Sequence, residues 1–114
     1  MKPGQLTPNA FEVAVLRTIV GQPQALVMSI ESLHVLSREF TCVGSFTKFK
    51  CSEPDTSPRR HMGLNALVTL PGVPNGLGAV LHMLGREPEC LEVFTFGTEA
   101  WDGTIEGFSI ASAA

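Results

Sequence analysis

Between residues 62 and 70, Met62, Leu64, Ala66, Val68 and Leu70 alternate with Gly63, Asn65, Leu67 and Thr69. A period of two suits a pleated strand with one face in a core, because a helix would scatter the same residues around its circumference. Two more apolar stretches, 77–84 and 90–96, come next, joined by a Gly-Arg-Glu-Pro-Glu turn. Links this short cannot carry parallel crossovers, so the strands are expected to pair antiparallel.

The first third reads differently. Thr7-Pro8 suits a helix start, with Thr7 as N-cap and Pro8 at the first helical position; Asn9 is a second cap candidate, since Glu12 completes a capping box. Phe11, Val15, Leu16, Ile19 and Val20 then share one face, Glu12 and Arg17 point away, and Gly21 suits the end of the helix. Pro23 can open a second helix through Leu26, Ile30 and Leu33. From Val35 the period returns to two, with Gly44 as a bulge or tight reversal before Phe46 and Phe49. Residues 52–60 read as loop, and the two prolines and two glycines of residues 71–76 exclude helix or central strand there. A last strand is expected over 104–110, with residues 111–114 fraying. The fold class is therefore α+β: two N-terminal helices packed on an antiparallel sheet of about five or six strands, in a single domain over residues 1–114.

Composition narrows the setting. With 44% hydrophobic residues and 17% charged, 114 residues can build a core without a disulfide or metal staple. A net charge of −3 argues against nucleic acid, and Glu53 and Asp55 separate the basic pairs Lys48/Lys50 and Arg59/Arg60. No apolar run approaches the roughly 18 residues of a membrane span. The N-terminus has no apolar leader, and three cysteines at wide spacing do not make a disulfide framework. A cytoplasmic protein is expected.

Reactive chemistry finds little support. Cys42, Cys51, Cys90, His34, His61 and His82 show no paired metal-ligand spacing, and although His82 and Cys90 can meet across a hairpin, both read as ordinary strand residues. No metal and no cofactor are expected. Cys51, beside Lys50, is the best candidate for a reactive thiol, but no base or oxyanion hole accompanies it. Gly76-Leu77-Gly78 lacks the third glycine of a dinucleotide loop. Glu92 shares parity with Phe94 and Phe96, so it faces a half-buried surface and needs a partner such as Arg38 or a lysine; the plainer reading is a cross-strand ion pair on a solvated face. Trp101 is either a binding anchor or the residue that closes the edge of the core.

The segments Ser37-Arg38-Glu39-Phe40-Thr41 and Val43-Gly44-Ser45-Phe46-Thr47-Lys48-Phe49 resemble a pattern, REFTGVGxFTxF, of a group of small uncharacterised bacterial proteins. Leu6-Thr7-Pro8, Pro71-Gly72, Gly76-Leu77-Gly78 and Leu91-Glu92-Val93-Phe94-Thr95-Phe96-Gly97 with Trp101 are similar to further parts of it. Cys42 stands where the pattern has glycine, and Phe96 where it has tyrosine. The resemblance implies a bacterial protein and assigns no activity.

The expected function is therefore a non-catalytic binding or interaction module, a homodimer or a protein's partner through an exposed sheet face or edge. Arg38, Glu39, Phe46, Glu92 and Trp101 are the binding candidates. A second reading puts a small-molecule or enzymatic pocket between helices and sheet, lined by Phe40, Phe46 and Phe94 with Arg38, Glu39 and Glu92 as polar groups. A third, an immunity or antitoxin-like protein, rests only on small size and acidity.

Overall fold

Asn9 opens the first helix. In the computed structural model, which describes residues 7–21, 30–96 and 100–112, the Asn9 side chain accepts from the Glu12 N–H at 2.8 Å and the Glu12 carboxylate accepts from the Asn9 N–H at 2.9 Å. The second cap candidate is thus the one used, and Pro8 lies before the helix. Helix α1, Ala10–Val20, ends at Gly21, whose N–H donates to the Arg17 carbonyl at 2.9 Å. Its apolar stripe of Phe11, Val15, Leu16, Ile19 and Val20 is buried, as its spacing requires. Glu12 is buried too, at 4% exposed, against the expectation that it points away.

Among the described residues there is one α-helix rather than two. Most of the expected second helix falls on residues 22–29, outside the described residues, and the chain then makes a single 3₁₀ turn, Ile30–Ser32. Ile30 and Leu33 are buried as their spacing suggested. Residues three apart stack as well on a 3₁₀ turn as on an α-helix, so the spacing alone did not separate the two.

Seven strands follow among the described residues: β1 Val35–Phe40, β2 Gly44–Phe49, β3 Arg59–Gly63, β4 Ala66–Leu70, β5 Val73–Leu84, β6 Glu87–Thr95 and β7 Ser109–Ser112. They form one antiparallel sheet in the order β1-β2-β6-β5-β4-β7, with β3 also paired to β5. The strand expected over 62–70 is cut at Leu64-Asn65 into the end of β3 and β4, which lie along the same edge of β5; Leu64 still donates to the Ala79 carbonyl at 2.9 Å. The fold is α+β as expected, with a larger sheet and fewer helices.

Several local expectations change with the register. The reversal between β1 and β2 is made by Thr41-Cys42-Val43, with Cys42 at φ +72, the one non-glycine residue at positive φ among the described residues. Gly44 opens β2 instead, where a Cβ would collide with the Val93 carbonyl oxygen. Pro74 and Gly76 lie within β5, not in a loop. Val73 pairs with Leu70 and Leu77 with Val68, so Pro74-Asn75-Gly76 bulge out against Thr69 alone. Pairing with β6 begins only at Leu77, so Pro74 faces no ladder there that would need its missing N–H. The last strand is later than expected, and Ala111 pairs with Leu67 rather than fraying.

Helix α1 covers one face of this sheet. Val68 and Leu70 of β4, Leu77, Ala79, Leu81 and Met83 of β5, and Leu91 and Val93 of β6 pack there with the helix stripe in a single core. Burying each leucine side chain contributes about 2 kcal/mol, so this layer dominates the stability of the fold. Among the described residues no helix is long and apolar enough to cross a membrane.

Candidate functional site

Strand parity divides the five binding candidates between two faces. Arg38 and Trp101 are on the helix side. Glu39, Phe46 and Glu92 are on the other, directly opposite one another across β1, β2 and β6, and Val80 of β5 continues the row. The expected pocket lined by Phe40, Phe46 and Phe94 is therefore not formed, because Phe40 packs on Trp101 at the helix side with ring centroids 6.0 Å apart.

On the helix side, Arg38 makes a bidentate pair with Glu12, Nε to Oε2 at 2.8 Å and Nη2 to Oε1 at 2.7 Å. Thr47 Oγ1 donates to the same carboxylate at 2.9 Å, and the Asn9 N–H completes four bonds to it. Burial pushes the Glu12 carboxyl up, but the hydrogen bonds from Arg38, the Asn9 N–H and Thr47 outweigh it and hold the group below its ordinary value. Trp101, 4% exposed, donates from Nε1 to the Thr104 carbonyl at 2.9 Å and closes the edge of the core beside Phe11. The cleft between Arg38, Phe40 and Trp101 holds about 40 Å³, room for about one water. Small-molecule pockets run to roughly 300–1,000 Å³. This constellation clamps the helix to the sheet and has no space for a ligand.

The opposite face is open: among the described residues no helix packs on it. Phe94 and Phe96 meet edge to face at 5.7 Å and lean over Gly78, where a Cβ would lie 2.7 Å from the Phe94 ring and 2.9 Å from that of Phe96. Glycine in mid-strand here makes room for two aromatic rings that would otherwise stand off the sheet. Four residues along, Lys48, Cys90, His82 and His61 form a second cross-strand row. Glu92 finds its partner there: its Oε1 lies 3.1 Å from His82 Nε2, and Arg38 is engaged elsewhere. Phe46, His61, His82 and Cys90, with Arg59 and Arg60 at the rim, border a shallow hollow of about 380 Å³.

Cys51 and Cys90 are not activated. All three cysteines are free. Cys51 donates to the Pro88 carbonyl at 3.0 Å, and burial, with Glu87, Glu89 and Glu53 nearby, pushes its pKa up to about 11. Cys51, the best candidate among the thiols, is therefore disfavoured as a nucleophile. Burial raises Cys90 as well, against the pull of Lys48. A thiol held protonated is a poor nucleophile and a poor metal ligand. No group of three His, Cys, Asp or Glu side chains suited to a metal occurs among the described residues.

Sequence reasoning missed Glu12 and Glu87. Glu87 is 4% exposed and gathers the Ser52 N–H at 2.6 Å, the Ser52 hydroxyl at 2.9 Å and the Glu53 N–H at 2.9 Å, so it fastens the 52–58 loop to β6. No local signal marks Glu87, whose partners are over 30 residues away. For Glu12 the capping box was visible, but Arg38, 26 residues on, was not. The sequence matches no family profile and no curated protein, and no solved structure matches the chain.

Proposed function

We propose that this chain is a non-catalytic protein-binding module whose working surface is the open face of the sheet. The observation that carries this reading is the uncovered row Glu39-Phe46-Glu92-Val80 with the Phe94–Phe96 pair beside it. Phe96 is 44% exposed and Leu67, on the same face, is also 44% exposed. An uncovered sheet face that mixes exposed aromatic and aliphatic side chains with charged ones is the composition of a protein–protein contact.

The sheet edges support a face rather than an edge as the surface. Edge strand β1 has a bulge between Val35 and Ser37 and carries Arg38 and Glu39, and edge strand β7 has four residues. Short, bulged, charged edges discourage strand addition. The small-molecule reading loses support from the 40 Å³ helix-side cleft. A bacterial, cytoplasmic setting rests on the resemblance of the 37–49 and 91–97 segments and on the three free thiols.

Cys90 lies on this face, in the row Lys48-Cys90-His82, and Cys42 at an exposed turn, so the chain carries its own reporter and reference. The experiment is maleimide labelling read by mass spectrometry, in dilute purified protein and in an extract of the source cells. Slower labelling of Cys90 relative to Cys42 in the extract is the expected result. An unchanged ratio would overturn the reading.

A further inference from the structure

The geometry points to a metal-binding site on the open face, in which His61 and His82 together hold one divalent copper, nickel or zinc ion. Such a site is independent of any protein bound to this face. His61 of β3 lies directly opposite His82 of β5. Antiparallel strands alternate between hydrogen-bonded pairs and closer, non-hydrogen-bonded ones. The Gly85 N–H donates to the Pro58 carbonyl at 2.8 Å, and the Leu64 N–H to the Ala79 carbonyl at 2.9 Å. The bonded pairs of this ladder therefore fall at 58/85, 60/83, 62/81 and 64/79. His61 and His82 occupy one of the close pairs between them, with Cα atoms about 4.5 Å apart. Their ring centroids are 5.8 Å apart. With metal–nitrogen bonds of about 2.0 Å, two imidazoles sharing one ion have centroids about 5 Å apart, so the rings need to close by only about 1 Å.

The surroundings suit a cation. Glu92 Oε1 lies 3.1 Å from His82 Nε2. A carboxylate only accepts, so the ring proton sits on Nε2 and Nδ1 keeps the lone pair that a metal needs. A carboxylate behind the imidazole is also the usual outer shell of a metal-bound histidine. Arg59 shares the His61 face of β3 but is already engaged by Glu89 at 3.4 Å. His61 is exposed and the His82 side chain is 37% exposed, so the ion and its waters have access. Cys90, next to His82 in the row, keeps its proton and stays out of the coordination. Two protein ligands completed by water agree with the lack of any converging group of three among the described residues. Paired imidazoles select copper, nickel or zinc over magnesium and calcium, which take oxygen ligands.

The test is calorimetric titration of the untagged full chain with nickel and, separately, zinc ions, repeated on His61→Ala, His82→Ala and Cys90→Ser. The expected result is saturable uptake that is lost in either histidine variant and kept in Cys90→Ser. Uptake should also weaken in mild acid, because the imidazoles must be neutral to ligate. An ion joining β3 to β5 binds the folded chain alone, so saturating nickel should raise the urea midpoint of the unaltered chain and leave that of His61→Ala where it was. No saturable uptake, or uptake unchanged by loss of either histidine, would overturn the inference. So would uptake that disappears with Cys90→Ser, since the thiol would then be the ligand. If a histidine variant does not fold, protection of the two imidazoles from diethyl pyrocarbonate by nickel in the unaltered chain decides: both protected supports the pair, and one or neither overturns it.

Discussion

The same strands build both faces of the sheet, and the two faces are packed differently. Along β5, Ala79, Leu81 and Met83 are at most 3% exposed beneath the helix, while Val80 and His82 between them stand half-buried on the open side. Their carboxylates differ in the same way. Glu12 is held by four hydrogen bonds from three residues, whereas Glu92 meets His82 and keeps its side chain one-third exposed. A buried charge must be fully paired before it is tolerated. A charge on an open face can exchange its partner for another molecule's, which is what a binding surface requires.

Truncating the covered face should cost most. Leu81→Ala removes a fully buried side chain and is expected to lower stability by about 3–4 kcal/mol, read as a shift of the urea midpoint. Val80→Ala, one residue along, should cost under about 1 kcal/mol because its site is half open. Equal losses would show that the two faces are equally covered. Next comes Glu12→Ala, expected to cost about 3 kcal/mol since it strands Arg38 and Thr47. Replacing the pair together, Glu12→Leu with Arg38→Met, should recover most of that loss, because the apolar pair needs no desolvated charge.

Acid should act through the same carboxylates. Glu12 and Glu87 are both held below their ordinary pKa of 4.5; at each, hydrogen bonds outweigh the upward push of burial. The unfolded chain then binds more protons than the folded one in the acid range, so stability rises with pH there. Their contribution is complete above about 4.5 and is lost as pH falls through the lowered folded values. Urea midpoints measured from neutral to acid pH should fall accordingly, and Glu12→Gln should flatten the decline.

The smallest effect has the opposite sign. Cys42→Gly relieves a left-handed backbone at φ +72 that suits glycine, offset by glycine's freedom in the unfolded chain, for a net gain of about 0.5 kcal/mol. Its thermal midpoint should rise slightly, with the open face unaltered.

Where the determinants are local, the chain could be read directly. The Asn9–Glu12 box spans three residues, and the apolar helix stripe and the parity of residues 62–70 repeat within a few turns or pleats. The shared parity of Glu92, Phe94 and Phe96 correctly put them together on one half-buried face. Longer-range outcomes were hidden. The bulge at Leu36 resets which residues of β1 face the helix, so Arg38 and Phe40 turn away from Glu39 and Phe46. Pro74 looked incompatible with a central strand, and the absence of a β6 neighbour at that point makes it tolerable within β5.

By itself the sequence determined the helix cap, the apolar stripe behind it and the pleated second half, because each depends on residues close along the chain. Which face of each strand meets the helix was decided only in three dimensions. Register, bulges and the Glu12–Arg38 clamp join segments distant in sequence, 26 residues apart for the clamp, and a shift of one residue moves every side chain of a strand to the opposite surface.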